Sequence, residues 1–451
     1  MRVHGVDRAQ TFILPLFVLL LSIATALGLA LWPARAHAHD VGGGVSGAAG
    51  HALSGLRFDE EQCGPGGYLI EGTDLCTHGS DAPPTDEELE YAQLALDGLS
   101  MSTTTVCTGD GASGKRVQVM YVRRSDRPDR YATSLNMIRK IALNVGLLFD
   151  ASATLTGGRR LVHYVTTPDC EVDVLHVEIE AAGDDTLGNM VKALRTLGYD
   201  SPDRKYLIFM ESEVYCGIAT VVNDTRPGAE NRSNHQAGYA RVDRTCWNEV
   251  AAAHELVHTL GGIQHTAPNA SGGWHCIDNY DIMCYSDPPY FPTVSVLCDD
   301  THYGSLLDCN NDDYFHTSPP ATSYLATHWN VARSQFLINF DHLGADAGIS
   351  LTITETMGSE YQIVLQVSGG AVVSDLIDHV EFYVDNQLVA ALTEGPYMQL
   401  WLPPDPGIYW IEARIFMGEG TRVFQELRVT VAEDVDAEHA VYLPLIRLGQ
   451  T

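Results

Sequence analysis

The segment HELVHTLGGIQH, residues 254–265, contains side chains that are able to bind a metal ion. His254 and His258 are four residues apart, so on one helix their imidazoles lie on the same face, at a spacing that suits Zn²⁺. Glu255 follows the first histidine, where it can reach a water molecule beside the metal and act as general base. The same spacing also arises by chance on helices. The surrounding sequence favours a zinc centre, with Zn²⁺ as the cofactor.

The elements that must position these residues come from a region of mixed helix and strand patterns. A helix is predicted from about Cys246 to Leu260, with Thr245 as its N-cap. Between residues 115 and 339, alternating and helical patterns intermix without a parallel β-α-β rhythm, which favours the α+β class. The segment GYARVD, residues 238–243, is the predicted edge strand, to which a peptide substrate would add as a further strand.

The sequence changes character near residue 345. Residues 346–433 contain short alternating strands at regular spacing, with a hairpin signal at Asp385-Asn386. This pattern predicts an all-β sandwich that is similar to the immunoglobulin-like modules of bacterial secreted enzymes. We expect this module to be dispensable for chemistry. The tail, residues 434–451, is either a last strand or a cell-surface signal, so attachment to the cell surface is one predicted interaction.

The first 38 residues have the pattern of a secretory signal peptide, with Arg2 and Arg8 before an apolar run and Ala36-His37-Ala38 as the cleavage site. The apolar run is also long enough for an uncleaved membrane anchor. Residues 39–105 are interpreted as a lead-in or a propeptide. Ten cysteines fit an oxidising, extracellular location, and Cys63–Cys76 and Cys298–Cys309 are the pairs that spacing favours. A net charge of −31 argues against nucleic-acid partners.

The residues His254, Glu255, His258 and Gly261, followed by Met283 within DIMCY, resemble the motifs of the metzincin branch of zinc metallopeptidases. The resemblance implies a catalytic domain over residues 106–345. It also implies that three histidines bind zinc and that the glutamate activates a water molecule. A tyrosine two residues after the methionine assists the oxyanion in that family, and Tyr285 occupies its position here.

The third zinc ligand departs from that family pattern. Gln264 stands at the family position, and an amide oxygen is a poor zinc ligand beside imidazole. His275 is favoured, because it lies on a glycine-rich loop and is followed by Cys276. His265 is the alternative if the turn after the helix contains one extra residue, and Asp278 is a weaker candidate.

A second metal site is suggested by the acidic segment CDDTHYGSLLDCNNDDYF, residues 298–315. Asp308, Asn310 and Asp312 alternate as calcium ligands do, but Asp313 stands where a calcium loop of the helix–loop–helix type needs glycine. Ca²⁺ is therefore a possible second cofactor. The alternative is a solvated acidic loop closed by a disulfide.

The function that these patterns predict is a secreted zinc-dependent endopeptidase acting on peptides or proteins. One alternative is a cell-surface binding or adhesive protein whose metal site has no catalytic role. Another is a zinc hydrolase that acts on a non-protein amide. Glu255 favours an enzyme, because a purely structural metal site needs no base.

Overall fold

The computed structural model describes residues 53–86, 89–90, 104–278, 280–298, 306–341, 348–357, 360–368, 376–417 and 422–431. The predicted signal peptide, residues 1–38, and the tail, residues 434–451, lie outside the described residues. Within the described ranges, no helix is long and apolar enough to cross a membrane.

The first part of the chain forms a mixed fold with large sheets and few helices, which is compatible with the α+β class. Its main sheet has eight strands in the order β1-β2-β3-β9-β10-β8-β5-β7. These strands are β1 (Leu56–Phe58), β2 (Tyr68–Ile70), β3 (Cys76–Thr77), β5 (Arg116–Arg124), β7 (Val174–Ile179), β8 (Arg204–Met210), β9 (Gly217–Val221) and β10 (Gly238–Asp243).

Two predictions about this sheet are wrong. Strands β7, β5, β8 and β10 are mutually parallel, although no parallel rhythm was expected. Helices Tyr131–Leu155 and Leu187–Thr196 supply the crossovers that parallel strands require, and the irregular chain around residues 156–173 hides this rhythm in the sequence. Strand β10, predicted to be the edge strand, lies inside the sheet between β8 and β9.

Both faces of the sheet are covered, which explains the continuous apolar runs in its central strands. The helix Tyr131–Leu155 and the helix Glu249–Thr259 pack in a cluster on one face, and the helix Leu187–Thr196 packs in a second cluster on the other. A small sheet joins β6 (Arg160–Val162) to β11 (Leu337–Asn339), and a short helix spans Tyr324–Thr327.

The helix Glu249–Thr259, hereafter the site helix, begins later than predicted. Asn248 is its N-cap, and the side chain of Asn248 accepts a 2.8 Å hydrogen bond from the Ala251 N–H. The stretch Arg244–Cys246 forms a separate 3₁₀ turn, so Thr245 is not the cap. Gly261 follows the helix with φ +91°, a conformation that glycine adopts without strain. Every residue of the site helix after Glu249 is buried.

The C-terminal part is all strand. One sheet has the order β12-β13-β16 and the other β15-β14-β17-β18-β4. Asp385 and Asn386 have φ values of 47° and 63° between β14 and β15, as the hairpin signal predicts. The strands are β4 (Thr104–Cys107), β12 (Gly348–Met357), β13 (Glu360–Ser368), β14 (Ile377–Val384), β15 (Gln387–Leu392), β16 (Met398–Trp401), β17 (Gly407–Met417) and β18 (Arg422–Val431).

The C-terminal sheets share contacts with the rest of the chain. Strand β4, which lies in sequence between β3 and β5 of the main sheet, pairs with β18. Leu161 and Phe340 are buried in the same apolar cluster as Val380 and Ile411. The two parts therefore share a core.

Five disulfides occur in the described residues, and both predicted pairs, Cys63–Cys76 and Cys298–Cys309, are among them. Cys63–Cys76 lies entirely within the lead-in segment. The other three bridges are Cys107–Cys170, Cys216–Cys246 and Cys276–Cys284.

This shared core predicts that a chain ending at residue 346 is less stable than the whole protein. Removal of β18 leaves β4 without its partner and exposes Leu161 and Phe340. We expect the unfolding temperature of the remaining part to fall by roughly 5 °C or more. Differential scanning calorimetry of this chain and of a control ending at Val431 tests the prediction. Equal unfolding temperatures would show that the part before residue 346 folds independently.

Candidate metal centre

Three histidines converge on one point in the interior. His254 and His258 come from the site helix, and His275 comes from the loop that follows it. The Nε2 atom of His254 lies 3.2 Å from that of His275 and 3.1 Å from that of His258, and the Nε2 atoms of His258 and His275 are 3.1 Å apart. His258 and His275 are at most 1% exposed. The fold therefore brings together the two helical histidines and the favoured third one.

The opposite ring nitrogens indicate that these contacts are not ordinary hydrogen bonds. The Nδ1–H of His254 donates to the carbonyl of Ile282 at 2.7 Å, and the Nδ1–H of His275 donates to Asp287 at 2.8 Å. Because both acceptors only accept, the protons lie on Nδ1, and the Nε2 lone pairs face one another. Burial and the neighbouring imidazoles, His78 first, hold the pKa of His258 well below its usual range, so the ring of His258 is neutral.

A metal ion fits these three nitrogens. In a tetrahedral zinc site with Zn–N distances of 2.0–2.1 Å, neighbouring ligand atoms are about 3.3 Å apart, close to the separations found here. Hydrogen bonds from the far ring nitrogens to a carbonyl or carboxylate are also the usual way in which proteins orient ligating histidines. His254, His258 and His275 are thus the residues that would hold the ion.

The loop that carries His275 is fixed by the turn around Met283. The disulfide Cys276–Cys284 closes it, and the Cys276 N–H donates to the Met283 carbonyl at 3.2 Å. The Met283 N–H donates to Asp281 at 2.7 Å, and the Met283 side chain is fully buried. Since Ile282 also accepts from His254, this turn orients two of the three histidines.

Gln264 and the two alternative third ligands, His265 and Asp278, lie elsewhere. The amide of Gln264 is fully used, because its oxygen accepts from the Asp224 N–H and its nitrogen donates to the carbonyls of Val222 and Gly261. The ring of His265 packs 5.9 Å from that of Trp274, outside the cluster of three histidines. Asp278 belongs to a different group of acidic side chains.

Glu255 lies beside the three histidines in a confined space. Its side chain is 1% exposed, and its Oε2 atom has no hydrogen-bond partner within the described residues. Burial, followed by the charge of Asp81, raises the pKa of Glu255 well above its usual range. A Cβ atom on Gly217 would lie 1.8 Å from Glu255 Oε1, so glycine at position 217 makes room for this carboxylate.

Two further residues at the centre were missed by the sequence analysis. Asp81 has one oxygen 3.4 Å from His254 Nε2 and the other 3.4 Å from His275 Nε2. The ring of His78 stacks on His258 at 3.9 Å, and its Nε2 atom lies 3.6 Å from Glu255. Both belong to the lead-in segment, far from the motif in sequence. The spacing of one histidine and one aspartate three residues apart does not predict that they lie beside the three histidines.

Tyr285 also faces this point. Its hydroxyl donates a hydrogen bond to Asp81, and its ring centre lies 4.2 Å from that of His275. Burial, and then the Asp81 charge, raises the pKa of Tyr285 well above its usual range, so the phenol is a proton donor at neutral pH. Its position therefore allows it to donate a hydrogen bond to a group bound at the centre.

The predicted calcium ligand Asp308 has a different role. Its carboxylate accepts hydrogen bonds from the backbone N–H groups of Asp312, Asp313, Tyr314 and Phe315. The carboxylate is therefore occupied in shaping the loop, and the alternating pattern of Asp308, Asn310 and Asp312 does not describe a common site. The acidic residues 299–300 of the same segment lie outside the described residues.

No protein-family model and no curated protein matches the chain. Wild-type OgpA from Akkermansia muciniphila is 13% identical with a TM-score of 0.25, over 72% of this chain and 96% of that chain. A catalytically inactive OgpA in complex with an O-glycopeptide substrate is 10% identical with a TM-score of 0.24, over 72% and 95%.

A third solved structure, the fibronectin(III)-like modules of CbhA from Clostridium thermocellum, is 18% identical with a TM-score of 0.17. The match covers 21% of this chain, which spans about half, 53%, of the CbhA structure.

The geometry predicts that His275→Ala abolishes stoichiometric zinc binding, whereas His265→Ala retains it. Loss of one of three protein ligands weakens the metal strongly, because affinity depends on ligand number and geometry. Zinc per chain is measured by elemental analysis after dialysis against a weak chelator. Zinc retained by the His275 variant and lost by the His265 variant would reverse the assignment.

Proposed function

We propose that this protein is a secreted zinc-dependent endopeptidase of the metzincin type. The observation that carries the proposal is the convergence of three histidine Nε2 atoms beside a buried glutamate that is not part of that cluster. When bound, Zn²⁺ polarises the substrate carbonyl and lowers the pKa of a water molecule. A purely structural metal site has no use for the base that Glu255 provides.

Glu255 moves the proton in the proposed reaction. It takes one proton from the attacking water, whose oxygen forms a bond to the carbonyl carbon. It then transfers that proton to the amide nitrogen as the C–N bond breaks. The raised pKa of Glu255 makes its ionised form a stronger base in the first step, and the proton that it gains is then available to the amide nitrogen in the second step. Tyr285 is placed to donate a hydrogen bond to the oxygen on which negative charge develops.

Strand β9 replaces β10 as the proposed binding strand for substrate. It lies next to Glu255, since Gly217 at its start contacts the carboxylate. An extended peptide that pairs with β9 would pass directly in front of the three histidines. Segment 76–81 now occupies this edge, and residues 76–77 pair with 220–221. Access for a substrate therefore requires displacement of this segment.

The proposed location is extracellular. Five disulfides occur in the described residues and every cysteine is paired, as expected for a protein folded in an oxidising compartment. The assignment of residues 1–38 as a signal peptide belongs to this proposal, as does the immunoglobulin-like nature of the C-terminal sheets.

A second candidate function is binding to a surface or polymer through the C-terminal sheets. Large apolar side chains are exposed there, including Leu400, Ile408 and Trp410, each more than half exposed. Exposed apolar groups of this kind are common at interaction sites. This candidate predicts no hydrolysis, whereas the peptidase predicts hydrolysis that a chelator abolishes.

The peptidase proposal predicts that Glu255→Gln retains zinc but loses hydrolytic activity. An amide cannot take a proton from water, and loss of a positioned base costs about 10²–10⁴-fold. The assay uses a chain with a sequence-specific protease site introduced within residues 91–103 and cut beforehand, because residues 78–81 otherwise fill the cleft. Casein and an O-glycopeptide are suitable substrates.

The matched control is Glu249→Gln, in the first turn of the same helix, which should hydrolyse the substrate at the wild-type rate. Zinc content is measured for all three proteins. Wild-type hydrolysis by the Glu255 variant, at equal zinc content, would contradict the proposed mechanism.

A further inference from the structure

A second cluster of acidic side chains lies apart from the histidines. The carboxylate oxygens of Asp278, Asp312 and Asp313 lie within 4.8 Å of one another. Asp278 and Asp313 are at most 1% exposed. Within the described ranges, no ion pair joins these three carboxylates to a lysine, arginine or histidine. Like charges so close together are unfavourable in the interior unless a cation or protons compensate them.

Asp278 supplies the observation that points to a ligand. Both of its carboxylate oxygens are buried and lack a hydrogen-bond partner within the described residues. An ionised carboxylate without partners is costly to bury, so it needs a counter-ion or a proton. Burial, together with Asp313, Asp281 and Asp312, raises the pKa of Asp278 to about 7. At neutral pH this carboxylate is therefore ready to exchange its proton for a cation.

The other two carboxylates are held in place. The Asn269 N–H donates to Asp313 at 2.8 Å, and the Asn269 side-chain amide donates to Asp312 and Asp313 at 3.3 and 3.2 Å. The disulfide Cys298–Cys309 and the backbone bonds to Asp308 fix the loop from which they come. The hydrogen bonds from Asn269 and the closed loop therefore hold the carboxylate oxygens of Asp312 and Asp313 in fixed positions, where they are able to bind an ion.

We propose that Asp278, Asp312 and Asp313 bind a calcium ion. Three carboxylates, without sulfur or nitrogen donors, are typical of a binding site for a hard divalent cation. Ca²⁺ also tolerates the irregular geometry of a site formed by loops. This site replaces the predicted set of Asp308, Asn310 and Asp312. Because Asp278 is three residues from His275, the ion would connect the loop of the histidine centre to the loop around residue 312.

The test measures Ca²⁺ binding to the full chain by equilibrium dialysis with radioactive calcium. Buffers contain fixed zinc, so that the histidine centre stays in one state. We expect about one ion per chain, with a dissociation constant of about 10⁻³ M or tighter. Calcium should also raise the unfolding temperature by several degrees. Asp278→Asn should weaken binding at least tenfold and abolish this rise.

Controls make the result independent of misfolding. In calcium-free buffer, Asp278→Asn should unfold at the same temperature as wild type or higher, because it lacks one of the repelling charges. Asp185→Asn, which alters an exposed carboxylate elsewhere, should bind calcium as wild type does. Absence of binding to wild type at 10⁻² M calcium, or unchanged binding to Asp278→Asn, would overturn the proposal.

An independent observation concerns the lead-in segment. Residues 76–81 run along the edge of β9 that faces away from β10, and the Asp81 N–H donates to the Gly217 carbonyl at 3.0 Å. Thr77 Oγ1 donates to the Ala219 carbonyl at 2.6 Å. The segment therefore makes the backbone contacts that a bound peptide would make at the same edge.

The side chains of His78 and Asp81 also block access to the three histidines. The two oxygens of Asp81 lie at 3.4 Å from two of the three Nε2 atoms, a separation expected between ligands of one zinc ion. Asp81 would therefore be a further ligand of an ion held by these histidines, at the position that a substrate or a water molecule would otherwise take. His78 lies against Glu255, and Tyr285 is engaged by Asp81.

The lead-in segment can also be separated from the rest of the chain by a single cut. Its one disulfide in the described residues, Cys63–Cys76, is internal and does not tie it to the rest of the chain. The next cysteine, Cys107, is bonded to Cys170. A cut within residues 91–103 would therefore leave the segment held by noncovalent contacts alone.

We infer that the lead-in segment is an inhibitory propeptide, with Asp81 as the blocking metal ligand. This inference rests on the proposed zinc centre. Cleavage within residues 91–103, followed by dissociation of the segment, would open β9, free Tyr285 and expose the metal. The structure then represents the latent form of the enzyme.

The test is binding of a small peptide hydroxamate, a zinc-directed inhibitor, measured by isothermal titration calorimetry. The zinc-loaded chain carries the introduced protease site. We expect no binding before cleavage, binding after cleavage and gel filtration, and binding to uncut Asp81→Ala. The control Asp86→Ala, in the same segment, should behave as the uncut wild type.

Because the readout is binding, the result is distinct from that of the hydrolysis assay. Binding that appears on cleavage without any hydrolysis would support the inhibitory segment but contradict the peptidase. Equal binding by cut and uncut wild type, with zinc present in both, would overturn the inference. Failure of Asp81→Ala to bind, when the cut chain does bind, would show that Asp81 is not the blocking ligand.

Discussion

The feature on which the rest of the site depends is the meeting of three Nε2 lone pairs in a buried space. Their ring protons are committed to the Ile282 carbonyl and the Asp287 carboxylate, or are disfavoured by burial at His258. Three such nitrogens repel one another at 3.1–3.2 Å unless a cation lies between them. The fold holds them there, and a bound cation would remove this repulsion.

The scaffold explains how this arrangement is maintained. The site helix is almost wholly buried and rests on the sheet, which fixes two of the histidines. The third depends on a loop without regular structure, whose shape is set by the Cys276–Cys284 disulfide and the turn at Met283. A calcium ion at Asp278 would add a further constraint three residues from His275. Loops positioned by a rigid scaffold often carry function in this way.

Local patterns in the sequence predicted several of the residues that the fold brings together in the candidate site. The two helical histidines and Glu255 follow from helical spacing, and His275 from its glycine-rich, cysteine-flanked loop. Asp81 and His78 were not predictable, because only the pairing of β3 with β9 brings them to the centre. The prediction that β10 is an edge strand was wrong for a similar reason. Strand order depends on long-range pairing, which the pattern of a single strand does not reveal.

The acidic loop shows the same limit. Alternating aspartates suggested calcium ligands, but Asp308 uses its oxygens on the backbone of its own loop, whereas Asp278 arrives from another loop. A metal site assembled from two loops leaves little trace in the spacing of either one. Residues that share a site through a single helix or a tight turn are the ones that spacing can identify.

X-ray absorption spectroscopy at the zinc edge of the full, uncut chain detects the ligands of the proposed histidine centre directly. We expect one zinc ion with three imidazole nitrogens at about 2.0–2.1 Å and a carboxylate oxygen as the remaining ligand. Multiple scattering from three imidazole rings should be resolved. A first shell that contains sulfur, or one made of oxygen atoms without imidazole scattering, would contradict the proposed histidine centre.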